Sequence, residues 1–334
     1  MTNTIRRVLS GETLEAATAE AMFARFMSGE ATQAEMAALL TALRMRGETA
    51  AEVAGGVRAL RKAMIPLDLD EDRIIDTCGT GGGSVTTFNI STAAAIVAAA
   101  GGVRIAKHGN RSFTSKCGSA DVLETLGVPI QLALEDERRM FEETGFVFMF
   151  APDHHPAMRH VGPVRAALGV TTIMNLLGPL ANPAGVRRQV VGVAHPRLQR
   201  LVADALLELG HERALVVHGE PGMDELSPLG PTRVIQLEAG HLTEFDVAPA
   251  DFGWSAYDPG DLAGSAPAAN ATRVVRVLSG QEGGAARAAV VLNAAASFWV
   301  SGVADTLPEG VAAAEKSIDS GAARTRLKQL RTFR

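Results

Sequence analysis

Aromatic side chains are scarce in this 334-residue chain, at 4% of positions, and cysteine is nearly absent, with Cys78 and Cys117 alone. Few aromatics leave few platforms for stacking unpaired bases. The excess of 37 acidic over 32 basic residues gives a net charge of −5. A dedicated nucleic-acid or anionic-membrane binder needs the opposite sign, because phosphate contacts dominate its affinity. Two thiols without a CxxC pair exclude a disulfide framework, argue against a cysteine zinc site and indicate a reducing compartment. The longest apolar run, residues 93–103, contains Gly101 and Gly102 and falls well short of the ~20 residues that span a bilayer. The N-terminus, MTNTIRRVLSGETL, holds no apolar stretch long enough for a signal peptide. These absences predict a cytoplasmic, soluble protein with neither nucleic acid nor membrane as partner.

What is present is ordinary globular material, 47% hydrophobic and 21% charged. Its length suits about two domains and needs no disulfide or structural metal to complete a core. The first 65 or so residues read as helices. Thr32 with Glu35 makes a capping box ahead of Met36, Leu39, Leu40 and Leu43 on one face, and Gly47 stops that helix. Thr49 with Glu52 repeats the device ahead of Val53, Val57, Leu60 and Met64. After Asp70 strands alternate with helices. Strands are predicted at 73–76, 103–106, 146–150, 189–193 and 213–217, and helices at 91–100, 120–127, 135–144 and 197–209. That alternation implies right-handed crossovers and a largely parallel sheet. Residues 258–271, rich in Gly, Pro, Ala and Asp, read as a surface loop.

Four segments carry candidate chemistry. The turn from Asp76 through Gly79, Thr80, Gly81, Gly82 and Gly83 leads to Asn89, Ser91 and Thr92. Glycines between a strand and a helix let backbone amides close on an anion, and the helix dipole adds to it. The run also suits a tight turn with helix caps from Ser91 or Thr92. It is no dinucleotide fingerprint, because Ser84 stands where a glycine is needed, and no G-x4-G-K-[ST] occurs. The second segment, Lys107 to Asp121, sets three cations, several hydroxyls and two glycines directly after a strand, where open α/β sheets bind ligands. The third, Gly222 to Pro228, contains Asp224 and Glu225, either a polar turn or the kind of oxygen pair Mg²⁺ prefers. The fourth holds His154, His155, His160 and Arg165, then Asn175 to Pro183. The histidine spacing fits no zinc motif, and Arg165 suits a ligand carboxylate or a structural ion pair equally.

GTGG…NIST, KHGNRS…GSADVLE.LG, HHPAM.HVGPVR, NLLGPL.NPA and G.DELS together resemble the anthranilate phosphoribosyltransferase family, in its order and spacing and over nearly the whole chain. The resemblance implies an α/β protein of the nucleoside phosphorylase and phosphoribosyltransferase type. A small helical domain would occupy 1–70, joined by a middle segment near 165–185, and a larger, mostly parallel α/β domain 71–334. It further implies that phosphoribosyl pyrophosphate (PRPP) and two Mg²⁺ ions lie between the domains. The chain would be a homodimer that transfers phosphoribosyl to the anthranilate amine in tryptophan biosynthesis. Carried onto this sequence, Gly79, Gly82, Gly83, Thr87, Asn89, Ile90, Ser91, Thr92, Lys107 and Ser119 would hold PRPP. The stretch Lys107, His108, Gly109, Asn110, Arg111, Ser112 to Ser115 would close over its diphosphate. Gly79, Asn110 and Arg165 would meet anthranilate. Ser91, Asp224 and Glu225 would serve the metal, and Asp224, Glu225 and Lys107 would carry catalysis.

One departure stands out. The family has Asp after GTGG and this chain has Gly83, which predicts better tolerance of millimolar Mg²⁺ than a Gly83→Asp variant would show. The chemistry implied is departure of pyrophosphate, an oxocarbenium-like ribose and attack by an amine already neutral at pH 7, with His108 the one candidate base. Two other readings share the pattern: a pyrimidine nucleoside phosphorylase, which would use phosphate without Mg²⁺, and a non-enzymatic nucleic-acid-binding relative, which would need a basic groove.

Overall fold

The computed structural model describes residues 1–112 and 116–334. Its N-terminal part is helical: α1 (Thr2–Leu9), α2 (Ala16–Met27), α3 (Gln33–Arg46) and α4 (Ala50–Lys62). Both capping boxes form, so α3 and α4 each begin with orphan amides satisfied. Gly47 ends α3 at a φ of 96°, which a residue with a side chain takes only under strain. Glu52 is fully buried, accepts from the Leu14 N–H at 2.8 Å and pairs with Arg46, so the cap also ties α4 to the α1–α2 link.

Strands and helices then alternate: β1 (Ile75–Gly79), α5 (Ile90–Ala100), β2 (Ile105–Gly109), α6 (Ser119–Thr125), α7 (Leu134–Thr144) and β3 (Phe146–Phe150). The short α8 (Ala151–His154), α9 (Met158–Leu168), α10 (Met174–Leu180), β4 (Arg188–Gly192), α11 (Pro196–Glu208) and β5 (Arg213–Gly219) follow. A hairpin of β6 (Thr232–Glu238) and β7 (His241–Val247) precedes α12 (Pro267–Leu278), α13 (Gly284–Ser301), α14 (Leu307–Asp319) and α15 (Ala322–Thr332). The strands form one seven-stranded sheet in the order β3-β2-β1-β4-β5-β6-β7, parallel from β1 to β5 and antiparallel at the hairpin. A small helical domain beside a larger, mostly parallel α/β sheet is the architecture expected from the sequence.

Side-chain alternation sorts the sheet into two layers. Val190, Leu215 and Val217 join α5 and α12 to α15 in one core. Val191, Ala214 and Val216 join α11 and the N-terminal helices in another. Val161 and Val164 of α9 and Leu176 and Leu177 of α10 enter that second core, so the middle of the chain packs onto the bundle. Among the described residues no helix is long and apolar enough to cross a membrane.

Several boundaries differ from the sequence reading. β1 runs from Ile75 on to Gly79 and β2 spans Ile105 to Gly109, so Thr77 to Gly79 and Lys107 to Gly109 are strand residues rather than loop. Apolar residues marked where the strands begin, and their polar second halves were mistaken for turns. Residues 258–271 hold a short 3₁₀ turn and the start of α12, opened by Pro267 at its first position. The β6–β7 hairpin went unpredicted because Ala239 (φ 49°) precedes Gly240 (φ 79°) where the turn signal calls for Asn or Gly.

Candidate active site

The glycine loop leaves β1 at Gly79. Gly81 and Gly82 adopt φ of 69° and 81°, a left-handed region that favours glycine. Gly79 and Gly192 are glycine for another reason: a Cβ on either would run into Asp224. The loop is stitched to the segment bearing the two carboxylates. Gly81 N–H donates to Asp224 Oδ2 at 2.8 Å, Ser84 N–H to the Gly222 carbonyl at 3.0 Å, and Ser84 Oγ to the Pro221 carbonyl at 2.6 Å. At Gly83 a Cβ would lie 2.7 Å from the Gly222 carbonyl, so this position is set by close approach rather than by its own φ.

The N-terminus of α5 completes the cradle. Ser91 N–H donates to Glu225 Oε1 at 3.2 Å and Thr87 Oγ1 to Glu225 Oε2 at 3.5 Å. Thr92 is 1% exposed and its hydroxyl has no partner among the described residues. Ile90 is fully buried, so only its backbone faces the loop. The Asn89 side chain is held on both sides, donating to the Cys117 backbone carbonyl at 3.2 Å and accepting from Asn270 Nδ2 at 3.0 Å.

Asp224 and Glu225 are half-buried. Burial pushes both carboxyls up, Glu225 well above the usual range with the adjacent Asp224 adding to it. Lys107, 1% exposed, is the cation that faces Glu225, and burial lowers its own pKa against the pull of Asp76. Two desolvated carboxylates side by side, one raising the other, are short of positive charge. A hard, oxygen-preferring divalent ion fits that pair.

The second predicted segment divides. Lys107 Nζ donates to the Thr77 carbonyl, so it lies between β1 and β2. His108 is 8% exposed, its Nε2 has no partner among the described residues, and burial, then His155, holds its pKa well below 6.5. The imidazole is therefore neutral. Gly109 is glycine because Ser119 Oγ and the Phe148 ring crowd it. The Asn110 carbonyl accepts from Ser119 Oγ at 3.3 Å and from Ala120 N–H at 3.2 Å. Arg111 is turned away from the cradle, paired with Glu124 at 2.8 Å and Asp121 at 3.0 Å. Ser112 N–H is drawn to the same Asp121 at 3.2 Å. Ser115 lies outside the described residues.

The histidine-rich segment also divides. His154 bridges Glu137 Oε1 at 3.1 Å and the Ile65 carbonyl at 2.9 Å, a structural role, while the His155 ring lies 4.9 Å from that of His108, tilted by 54°. Arg165, in the last turn of α9, is half-buried, forms no ion pair among the described residues, and has its pKa lowered by burial. A cavity of about 160 Å³ opens between bundle and sheet beside the glycine loop, lined by Arg44, Thr80, Gly82, Asn175 and Arg197 among others. Sequence reasoning gave no role to Asp76, Ser84 or Asn182 within the segments it marked, and it passed over Asn270; the partners of all four are distant in the chain.

The profile of the glycosyl transferase family, helical bundle domain, matches residues 2–64, and that of its a/b domain matches 71–324. The chain is 50% identical to the anthranilate phosphoribosyltransferase of Rubrobacter xylanophilus over 325 residues, covering 97% of this chain and 95% of that one. It is 49% identical to that of Caulobacter vibrioides, covering 98% and 95%. The crystal structure of the Thermus thermophilus enzyme superposes with a TM-score of 0.93 at 44% identity, covering 98% of both chains. The Saccharomyces cerevisiae enzyme in complex with PRPP and Mg superposes at 0.89 with 29% identity, covering 98% of this chain and 95% of that one.

Proposed function

The chain belongs to the anthranilate phosphoribosyltransferase family, and on that premise we propose how its own residues divide the reaction. It is a Mg²⁺-dependent pentosyltransferase of tryptophan biosynthesis that moves the phosphoribosyl group of PRPP onto the anthranilate amine and releases pyrophosphate. The nucleoside phosphorylase and nucleic-acid readings give way to this one.

The observation that carries the residue assignment is the interlock of two loops, one rich in glycine and one bearing two carboxylates, joined through Gly81 and Ser84. Gly79, Gly82, Gly83, Thr87, Asn89, Ser91, Thr92, Lys107 and Ser119 hold PRPP in this reading, with Ile90 contributing its backbone alone. Asp224 and Glu225, with Ser91, hold two Mg²⁺ ions. When bound, the metal neutralises charge that develops on the departing diphosphate. Lys107 adds a fixed ammonium and the glycine-loop amides add dipoles that need no reorganisation. Arg165 and Asn110 take anthranilate, the guanidinium matching its carboxylate. The amine is neutral at pH 7, and His108, itself neutral, accepts its proton. We assign the helical domain to residues 1–70 with the middle segment packed on it. We also propose a homodimer through that domain: Leu9 and Met45, on the mutually packed α1 and α3, are 68% and 82% exposed.

The test follows anthranilate fluorescence as PRPP and Mg²⁺ are added. The wild type consumes it. The double variant Asp224→Asn with Glu225→Gln should keep its fold and lose turnover at least about a hundredfold, near 3 kcal/mol of barrier. Near-normal Mg²⁺-dependent turnover in that variant removes the pair from the site.

A further inference from the structure

β2 pairs with β3 over five residues and β1 with β4 over five, yet β1 and β2 share one registered pair, Ile75 with Ile105. Beyond it, side chains meet the backbone groups that face one another across the gap. Asp76 Oδ1 accepts from the His108 N–H at 3.3 Å, Asn182 Nδ2 donates to the Ala106 carbonyl at 2.9 Å, and Lys107 Nζ donates to the Thr77 carbonyl. Asn182 Nδ2 also donates to Asp76 Oδ2 at 2.9 Å, while its Oδ1 accepts from the Ala184 N–H at 2.8 Å, which sets the amide's orientation. Gln189 reaches the same Asp76 oxygen from β4 at 3.4 Å. Asp76, Lys107 and Asn182 are 0%, 1% and 1% exposed.

Stability alone does not account for this arrangement. A continued ladder would satisfy the same backbone groups without burying a carboxylate and an ammonium. Both charges are costly to desolvate, and apolar replacements of buried pairs are often neutral or stabilising. What the gap provides is a located charge. A lysine stem is flexible and its ammonium strongly hydrated. Here it is threaded between two strands and anchored two residues before Gly79, with Asp76 on one side and Glu225 facing it.

We propose that Asp76 and Asn182 are positioning residues that hold the β1–β2 gap open so that the Lys107 ammonium is fixed beneath the glycine loop, where PRPP binds. Neither touches substrate. The inference rests on the assignment of Lys107 to PRPP made above.

Calorimetric binding of PRPP with Mg²⁺, alongside the KM for anthranilate, tests it in the full-length enzyme. Asp76→Asn should weaken PRPP binding about ten- to a hundredfold, the usual range for loss of one charged, desolvated interaction, and leave the anthranilate KM within about twofold. Lys107→Met should weaken PRPP similarly. In the Lys107→Met background Asp76→Asn should add less than about twofold, because the two act as one unit. Additive losses would overturn the positioning role, since a merely structural aspartate does not need the lysine to exert its effect. Normal PRPP binding by Lys107→Met would instead overturn the Lys107 assignment itself, and the positioning role with it. Asn182→Ala keeps both charges and covers the case in which Asp76→Asn does not fold. A smaller, selective loss of PRPP affinity is expected there, and unchanged affinity overturns the proposal.

Discussion

β1 meets β4 along its whole length and β2 at a single registered pair, and Asp76, Lys107 and His108 lie on the loosely paired side. At the β4–β5 junction successive residues Val190 and Val191, or Leu215 and Val216, fill the two cores in turn. At the β1–β2 junction Asp76, in register with Gln189, stands beside Lys107 and His108 of β2. The well-zipped half of the sheet supplies rigidity, and the open half is thereby free to hold charges that no ladder requires. In the helical bundle Arg46 is neutralised by the buried Glu52. Near the cleft Arg165 has no such partner among the described residues.

The comparison is most exposed on its apolar side. Leu215→Ala, at a residue 1% exposed, should cost about 2–5 kcal/mol of stability through lost burial and a residual cavity, with both KM values unchanged. Urea unfolding beside steady-state kinetics reads the two quantities, and a rise in the PRPP KM would show that the halves are not separable. On the other side, Arg165→Ala should barely alter stability and should raise the anthranilate KM ten- to a hundredfold, about 1.5–3 kcal/mol. Equal effects on both substrates would make Arg165 a structural cation.

A smaller effect concerns pH. His211 is 5% exposed and its pKa is lowered from 6.5 to about 3, by burial first and then by Arg61. Below pH 6.5 the unfolded chain takes up a proton that the native histidine refuses, so this contribution is complete above 6.5 and is lost as pH falls toward 3. His211→Leu should therefore flatten the acid decline of unfolding free energy, by about 2 kcal/mol at pH 5, as read by urea unfolding across pH. Identical profiles for variant and wild type would mean that other groups govern acid unfolding.

The smallest effect is expected at Gly83. Any side chain there must push the Gly222 carbonyl and, through it, the segment carrying Asp224. Wild type should tolerate millimolar Mg²⁺ better than Gly83→Asp, with Gly83→Ala as the control that displaces the backbone without adding charge. Coincident Ala and Asp curves in a Mg²⁺ titration would assign the effect to backbone geometry.

Local physics was legible in the sequence. Capping boxes, the stop at Gly47, the glycine turn and the strand–helix alternation act within a few residues, so the helical bundle, the parallel sheet and the order of the motifs could be read directly. The carboxylate pair and the loop glycines were legible for the same reason. Which polar residue is buried, and against what, was decided by the tertiary structure. Asp76 meets Asn182 across 106 positions and Ser84 meets Pro221 across 137, and no periodicity within either segment encodes the other. That Arg111 pairs with Asp121 and Glu124 of α6 likewise follows only from the packing. Composition and spacing determined what kind of protein this is. Only the packed sheet decided where its backbone ladder ends and buried charge begins, because the free energy of a buried polar group depends on partners that the chain brings together by folding.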